Sequence, residues 1–431
     1  MQPLLDLIQR HKAGDSVGIY AVCSAHPLVL KAAIKQGLED NSLVLIEATS
    51  NQVNQDGGYT GMKPADFYSL VRTFADELGF AKENLLLGGD HLGPNCWQHL
   101  PAEEAMAKSD VLIEAYVEAG FRKIHLDCSM SCVGDSIPLD EATVANRAAR
   151  LCKIAETTWQ RVGGEPPVYI IGTEVPVPGG AQELEDELEV TKPSDAAQTL
   201  DMHQTAFAAM GLEAAWERVV GLVVQPGVEF DHHQVIHYDA PKAKSLSQFI
   251  ETVPGKVFEA HSTDYQADDA YGELVRDHFA ILKVGPALTF ALREALFALD
   301  AVEREWLGEH RASHLRETVE QVMRQEPDYW HKYYANTGHQ RYLDCQYSFS
   351  DRIRYYWSHP VVDAAVQKMV SNLTELPPPR TLLSQYLPSQ YKAVARGEIG
   401  ANPESLIIHK VMEVTRMYSR ACGSLSEEKQ Q

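Results

Sequence analysis

The chain alternates short apolar runs with longer segments in which apolar residues recur every three or four positions. The apolar runs have the length and the β-branched content of strands, and they occupy residues 17–22, 43–48, 85–89, 123–127, 168–173, 221–225, 256–260 and 280–284. The segments between them predict helices, among others at 27–38, 64–78, 103–119 and 140–159. Because the predicted strands and helices alternate, the pattern indicates a parallel sheet.

Eight strands with intervening helices predict an α/β fold, a (β/α)8 or TIM barrel. The alternative is a doubly wound open sheet, but no G-x-G-x-x-G motif follows the first strand. Polar residues favour the barrel, since they follow nearly every predicted strand. The C-terminal ends of the strands are where barrel enzymes carry their catalytic groups.

The alternation stops near residue 300. We therefore assign residues 1–300 to the barrel and residues 301–431 to a helical C-terminal extension, with helices predicted at 300–315, 350–373 and 404–421. The stretch 328–357 is rich in Tyr and Trp. At helical spacing these rings predict core packing against the barrel, and docking of a partner is the alternative.

Charge and composition narrow the classes of function. The chain has 60 acidic and 38 basic residues, a net charge of −22, so polyanions such as nucleic acid and anionic membrane surfaces are unfavourable partners. The opening residues do not resemble a signal peptide, and no apolar stretch approaches the ~18 residues that span a bilayer. Seven scattered cysteines fit a reducing compartment. We expect a cytoplasmic protein, and the sequence leaves its oligomeric state open, a homo-oligomer included.

Two histidines at strand ends predict a metal site. His91 follows Asp90 in LLLGGDHLGPN after the third strand, and His261 stands in VFEAHSTD after the seventh. Two imidazoles and one further donor make an open site for Zn²⁺ or another divalent metal. Asp90, beside the ligand but on the other side of the chain, is a candidate general base.

The third donor is ambiguous from the sequence. His232 in EFDHHQVIHYD is the first choice. The alternatives are the other carboxylates and imidazoles near the same rim: Glu174, Glu229, Asp231, His233 and His237.

Phosphate binding requires backbone N–H groups or cations at the barrel mouth. Lys283 lies late in an apolar strand, where an unpaired charge is costly, although a rim carboxylate such as Glu259 is an alternative partner. The other candidates for substrate or phosphate binding are small rim residues: Ser50, Gly179, Gly180, Ser262 and Gly285.

Long strings resemble a known family. SAHPLVLKAA, LIEATSNQVNQDGGYTG, GGDHLGPN, IGTEVPVPGGA, FEAHSTDYQ and FAILKVGPALTFALREA are similar to the accessory, Z-type (GatZ/KbaZ) subunits of tagatose-1,6-bisphosphate aldolase. The resemblance extends into the C-terminal region through SDRIRYYW and SQYLP. That family is in turn similar to the class II, zinc-dependent ketose-bisphosphate aldolases, which are TIM barrels.

The resemblance implies roles for four residues. Asp90 matches the catalytic acid/base, His91 and His261 match zinc ligands, and Glu174 matches a catalytic strand-five glutamate. The chain departs from class II aldolases at Gln225, where they carry a histidine, and at Asp264, where they have a glycine-rich phosphate loop.

The resemblance also implies a role for the whole chain. A Z-type subunit is expected to be non-catalytic and to support the activity and stability of a separate Y-type aldolase subunit. Its pathway would be galactitol or N-acetylgalactosamine breakdown through tagatose 6-phosphate. Retention of Asp90, His91 and His261 favours an alternative, a metal-dependent ketose or ketose-phosphate 4-epimerase or aldolase in its own right. Neither a Walker A loop nor a kinase motif is present.

Overall fold

Eight parallel strands close into a barrel in the computed structural model, which describes residues 1–173, 175, 181 and 188–423. Neighbouring strands follow chain order, and β8 pairs with β1 so that Ile281 lies opposite Ile19. The predicted TIM barrel is confirmed. Its strands are β1 Ile19–Val22, β2 Val44–Thr49, β3 Leu85–Leu92, β4 Lys123–Leu126, β5 Val168–Gly172, β6 Val219–Val223, β7 Val257–Ala260 and β8 Ile281–Val284.

Helices surround the barrel, and several begin with proline, whose missing N–H is harmless in a first turn. A two-stranded hairpin, Glu229–Phe230 with Val235–Ile236, lies in the connection after β6. The helices up to the last strand are α1 Gln2–Lys12, α2 Pro27–Asp40, α3 Pro64–Leu78, α4 Ala102–Ala119, α5 Glu141–Val162, α6 Pro193–Ala209, α7 Glu213–Trp216, α8 Ala240–Glu251 and α9 Asp268–Arg276.

Helix α1 covers the end of the barrel opposite the polar rim. Its buried Leu4 and Ile8 form one apolar cluster with Ile19, Val257 and Ile281, each the first residue of its strand. This cluster closes the N-terminal end of the barrel with aliphatic side chains. Chemistry is therefore confined to the other end, where the strands finish in polar residues.

The C-terminal region differs in detail from the predicted helices. The helix predicted at 300–315 is wrong in its bounds, because α10 runs over Pro286–Leu307 and ends at Gly308, which has φ 76°. The helix predicted from residue 350 begins instead as a 3₁₀ turn, Arg352–Tyr356, before Pro360 starts a new helix. The later helices are α11 Leu315–Gln325, α12 Gly338–Tyr347, α13 Pro360–Glu375, α14 Arg380–Tyr386, α15 Pro388–Arg396 and α16 Pro403–Ala421.

Helix α16 joins the barrel wall. It packs against α2, α9 and α10, and Tyr418 Oη donates to the Thr263 carbonyl at 3.0 Å just beyond β7. The predicted boundary at residue 300 falls inside α10, which continues to Leu307. The division into a barrel, 1–300, and an extension, 301–431, therefore stays a prediction. Four aromatic side chains of the stretch 328–357 are buried in the shared core, as the core-packing interpretation expects: Trp330, Tyr334, Tyr356 and Trp357.

None of the helices in the described ranges combines the length and the apolar character that crossing a membrane requires.

Candidate functional site

Three imidazoles form a triangle inside the mouth of the barrel. His91 is the second-last residue of β3, His125 lies on β4, and His261 follows β7. Their ring centroids are 5.3 Å apart for His91 and His125, and 5.2 Å for each of the two pairs that include His261. We call these three residues the histidine triangle. All three side chains are buried.

A bulge at the end of β3 directs both Asp90 and His91 toward the triangle. The register between β3 and β4 shifts between Gly89 and Leu92, and His91 has φ 49°, a left-handed conformation that costs a non-glycine residue free energy. As a result the Asp90 Oδ2 atom lies 3.6 Å from His91 Nε2. The expectation that the two side chains point to opposite sides of the chain is therefore wrong.

One ring nitrogen of each imidazole contacts a buried carboxylate. His91 Nδ1 lies 2.7 Å from Asp127 Oδ2, and Ser129 Oγ donates to Asp127 Oδ1 at 2.7 Å. His261 Nε2 lies 2.9 Å from Glu259 Oε1. Such carboxylate contacts fix ring orientation in metal sites and leave the other ring nitrogen to face the ligand.

His125 completes the set and has a nitrogen to spare. Its Nδ1 lies 3.0 Å from Asp90 Oδ1, while its buried Nε2 has no hydrogen-bond partner among the described residues. An unpartnered buried imidazole nitrogen is costly unless it is matched by a ligand. Asp90, His125, Glu259 and His261 each offer one donor atom within 4.8 Å of the others.

Two buried lysines form ion pairs with the buried carboxylates next to the triangle. Lys123 Nζ lies 2.6 Å from both Glu47 Oε1 and Glu259 Oε2. Lys283 Nζ contacts Glu47 and lies 2.8 Å from Asp90 Oδ1 and 3.9 Å from Glu259 Oε1. We call Glu47, Asp90, Lys123, Glu259 and Lys283 the charge network. A side chain at Gly88 would crowd it, because a Cβ there would lie 3.0 Å from Glu47.

The formal charges of this region do not balance. Two ammonium groups, Lys123 and Lys283, face four carboxylates, those of the charge network and Asp127, which leaves 2 − 4 = −2. Burial would lower the pKa of His91, but Asp90 and Asp127 outweigh it and raise that pKa, so a proton on His91 offsets part of this excess and a divalent cation would offset the rest. The residues present therefore fit a divalent cation at the group formed by Asp90, His125, Glu259 and His261, in which the two histidines offer nitrogen donors of the kind that zinc accepts.

Burial and charge set the protonation states around the triangle. Burial lowers the pKa of His261 to about 4, so that its imidazole is neutral and able to ligate. Burial would raise the pKa of Asp90, but His91 and Lys283 outweigh it and hold that pKa well below its usual range. Burial would lower the pKa of Lys283, yet Asp90 and its other acidic neighbours raise it well above the ordinary value. Asp90 is thus an ionised carboxylate, in the state that a general base requires.

His232 is not brought to the other predicted ligands. Its Nδ1 lies 2.9 Å from Ser350 Oγ and its Nε2 lies 3.0 Å from the Tyr333 carbonyl, so that both ring nitrogens bind the C-terminal region. The loop carrying His232 forms a hairpin that packs against the C-terminal region, where the Phe349 N–H donates to the His232 carbonyl at 2.9 Å. The third imidazole is His125 instead. The predicted residues Glu174, Gly179 and Gly180 lie outside the described residues.

Of the described phosphate candidates, Lys283, Gly285 and Ser262 line the open cavity, but the first two are already engaged by carboxylates of the chain. The Gly285 N–H is bound by Asp264 Oδ1 at 3.0 Å, and the same oxygen accepts from the Ala287 N–H at 2.8 Å. Lys283 belongs to the charge network, and Ser50 is fully buried. Ser262, with φ 53°, lines the cavity and is half-buried.

That cavity has a volume of about 620 Å³ and is walled by both parts of the chain. The barrel contributes Asp90, His91 and His261. The C-terminal region contributes Arg354 and Tyr355 from its 3₁₀ turn, with further contacts from α13 and α16. The volume is in the range of pockets that enclose a small organic ligand.

Three groups at this site were missed from the sequence. His125 lies in KIHLD, where a polar residue with alternation inside a barrel strand is the only signal. Lys123, at the start of the same strand, gives no signal, because charged residues are common at strand ends. Arg354 is in the SDRIRYYW string, where the aromatic residues form a pattern and the arginines do not.

Comparison with known proteins gives a consistent result over nearly the whole chain. The family model described as D-tagatose-1,6-bisphosphate aldolase subunit GatZ/KbaZ-like matches residues 4–423. A D-tagatose-1,6-bisphosphate aldolase subunit GatZ of Klebsiella pneumoniae is 55% identical over 419 residues, covering 97% of this chain and 99% of the relative. The subunit of the same name from Salmonella dublin is 55% identical over 417 residues, covering 97% and 98%.

One solved structure is similar at the level of both sequence and fold. It is a protein of Sinorhizobium meliloti 1021 described as a probable tagatose 6 phosphate kinase, with a TM-score of 0.87 and 50% identity over 94% of this chain and 100% of that one.

Proposed function

Since this chain belongs to the GatZ/KbaZ-like family of D-tagatose-1,6-bisphosphate aldolase subunits, we propose that it is the accessory subunit of such an aldolase. In this role it binds a catalytic Y-type subunit in the cytoplasm and supports that subunit's activity and stability. The pathway is the breakdown of galactitol or N-acetylgalactosamine through tagatose 6-phosphate. The single observation that supports the role is the likeness to named aldolase subunits over 97% of the chain.

Co-expression with the Y-type subunit tests this role. We expect the two chains to co-purify. We also expect the rate of tagatose-1,6-bisphosphate cleavage and the half-life of the Y-type subunit's activity at 37 °C to rise when this chain is present. The proposal is wrong if the chains purify separately and the partner's activity and half-life do not change.

The histidine triangle favours a second function, a metal-dependent epimerase or aldolase acting on a ketose or ketose phosphate. His125 and His261 would hold a divalent metal, Zn²⁺ first, with His91 as the third imidazole beside them. The formal excess of two negative charges, counted with neutral imidazoles, supports a cation there. When bound, such a metal polarises the oxygens of a ketose.

The chain's own residues account for the proton transfer in this second function. Asp90 is ionised and borders the cavity, so it would accept the proton of the C4 hydroxyl as the C3–C4 bond breaks. The same carboxylic acid would return the proton when that bond re-forms on the other face, giving the C4 epimer. Lys283, 2.8 Å from Asp90 Oδ1, holds the carboxylate in place and favours its charged form.

Elemental analysis and two variants test the second function. We expect about one divalent metal per wild-type chain, its loss in His125→Ala, and loss of turnover in Asp90→Asn with the metal retained. The matched control is His232→Ala, which removes an imidazole that lies apart from the triangle and leaves metal content unchanged. If the wild-type protein binds no divalent metal and none confers turnover, the second function is excluded.

The two functions separate in one further measurement. Asp90→Asn should still support the Y-type subunit if support depends on the surface of this chain. If Asp90→Asn removes the support as well, the centre itself contributes to the aldolase reaction.

A further inference from the structure

Three cations line the cavity within the described part of the chain, and two of them are neutralised. Lys283 belongs to the charge network, and Lys31 Nζ lies 2.8 Å from Glu404 Oε1. Arg354, the third, has no carboxylate oxygen within 4.0 Å of its guanidinium among the described residues. A cation that is packed into a cavity wall without a counter-ion is available for an anionic ligand.

The contacts of Arg354 fix its position without neutralising it. Nη1 donates to the carbonyl of Ser350 and, at 3.0 Å, to the carbonyl of Asp351, while Nη2 donates to Tyr355 Oη at 3.0 Å. These acceptors are neutral. The guanidinium is therefore held rigidly by the 3₁₀ turn, and its remaining N–H groups stay available.

Two tyrosines frame the guanidinium on the same wall. The rings of Tyr59, from the loop after β2, and Tyr355 lie with centroids 4.7 Å apart, and both residues line the cavity. Burial would raise the pKa of Tyr355, but Arg354 and Arg352 outweigh it and lower that pKa. This direction shows that the surroundings of the Tyr355 hydroxyl favour negative charge. We call Arg354, Tyr355 and Tyr59 the arginine–tyrosine cluster.

The usual phosphate position of this mouth is closed. Asp264 Oδ1 accepts hydrogen bonds from two N–H groups at the start of α10, that of Gly285 at 3.0 Å and that of Ala287 at 2.8 Å. A carboxylate of the chain itself therefore occupies the helix end at which a phosphate would bind. Two buried acids, Asp264 and Asp351, interact electrostatically with Arg354, and burial raises their pKa values to about 6 and about 7, but neither carboxylate lies within 4.0 Å of the guanidinium. An external anion is thus excluded from α10 but not from Arg354.

We propose that the arginine–tyrosine cluster binds the phosphate group of a phosphorylated ketose whose carbon chain extends through the same cavity to the histidine triangle. The planar guanidinium donates two parallel hydrogen bonds to phosphate oxygens, and the tyrosine hydroxyls donate the others. The C-terminal region thereby selects a phosphorylated substrate. The carbon-chain part of this proposal rests on the proposed function, whereas the anion site does not.

Binding of inorganic phosphate, followed by calorimetry on the purified full-length chain, tests the anion site directly. We expect Arg354→Gln to weaken phosphate binding at least tenfold and Tyr355→Phe to weaken it several-fold. Lys31→Gln, which removes the ion-paired cation of the same cavity, is the matched control and should stay within twofold of wild type. Undetectable phosphate binding by the wild-type protein, or equal affinity in Arg354→Gln, would overturn the proposal.

Tagatose 6-phosphate and unphosphorylated tagatose test the selection. Arg354→Gln should lose affinity for the phosphorylated sugar and keep that for tagatose, and an equal loss for both would contradict a phosphate site. Because Arg354 also donates to two backbone carbonyls, the thermal unfolding of the Arg354→Gln protein is measured as well. If Arg354→Gln does not fold, unchanged phosphate affinity in Tyr355→Phe alone overturns the proposal. Support of the Y-type subunit by Tyr355→Phe is assayed separately, so that failure of the anion site is distinguishable from failure of the accessory role.

Discussion

His91 and His125 lie on neighbouring strands, and a one-residue bulge decides how they meet. Without the register shift between Gly89 and Leu92, Asp90 and His91 would face opposite sides of β3. With it, both converge on the triangle, and Asp90 contacts His125 on the adjacent strand. A pair of residues that reads as a weak motif thus becomes the centre of a buried polar site.

Lys123 illustrates how strongly single residues are coupled in this site. It is fully buried and its ammonium lies 2.6 Å from two carboxylates. We expect Lys123→Met to destabilise the fold by roughly 3–5 kcal/mol, because it removes one of the two ammonium groups that compensate the buried carboxylates of the charge network. Urea unfolding measures the change.

The control for Lys123→Met is Arg10→Ala, which breaks the exposed ion pair with Asp15 at 2.9 Å. Its cost should stay below about 1 kcal/mol, as is usual for surface pairs. A loss of less than about 1 kcal/mol in Lys123→Met would show that the barrel interior screens these charges well.

Glu229 predicts a pH dependence of stability. Burial, with a smaller contribution from Asp264, raises its pKa from 4.5 to about 7 in the folded protein. The folded state thus keeps the proton longer than the unfolded state, and stability falls as pH rises from about 4.5 to about 7. The loss attributable to this group is on the order of 3 kcal/mol at most.

Glu229→Gln tests this dependence. The drop in unfolding free energy between pH 5 and pH 8 should be smaller in the variant than in the wild type. The control is the exposed Glu305→Gln, which should follow the wild-type profile. Identical profiles for Glu229→Gln and wild type would contradict the assignment.

At the scale of elements, the α10 N-terminus depends on one side chain from another loop. Asp264 Oδ1 accepts from the N–H groups of Gly285 and Ala287. Asp264→Ala should therefore cost about 1–2 kcal/mol, the usual value of a lost helix cap. Thermal unfolding measures it, and Asp264→Asn, which keeps an accepting oxygen, is the control. If alanine and asparagine are equally stable, Asp264 does not cap α10.

The helices were predicted well where the sequence marks their ends. Pro27 and Pro64 begin α2 and α3, as the pattern indicates. The helix predicted at 300–315 was wrong, because the apolar pattern continues past residue 307 whereas α10 ends there, at Gly308. The local sequence predicts that residues near 308 have an apolar face, but it does not show where one helix ends and the next begins.

At the scale of the whole molecule, the C-terminal region is part of the barrel's outer wall. Helix α16 buries Leu406, Ile407, Val411 and Tyr418 against α2, α9 and α10. Each such side chain contributes roughly 1.5–3 kcal/mol, so together they approach the total stability of a typical protein. We expect removal of residues 403–431 to abolish cooperative unfolding, as followed by circular dichroism.

A truncation that removes only residues 424–431 is the matched control, because it keeps α16 intact. Cooperative melting of the longer truncation near the wild-type temperature would show instead that the barrel folds alone. That outcome would also favour the predicted division near residue 300.

The sequence by itself determined the eight-stranded barrel, the strand ends that carry Asp90, His91 and His261, and the family. These features are encoded locally, in the period of apolar residues and in strings that can be matched. Only the tertiary structure decided that His125 rather than His232 faces the other two histidines, that Asp264 fills the helix end where phosphate was expected, and that Arg354 lines the mouth. The physical reason is that these contacts join residues far apart in the chain. They depend on a strand bulge, on the closure of β8 against β1, and on where the C-terminal region packs, none of which the local pattern specifies.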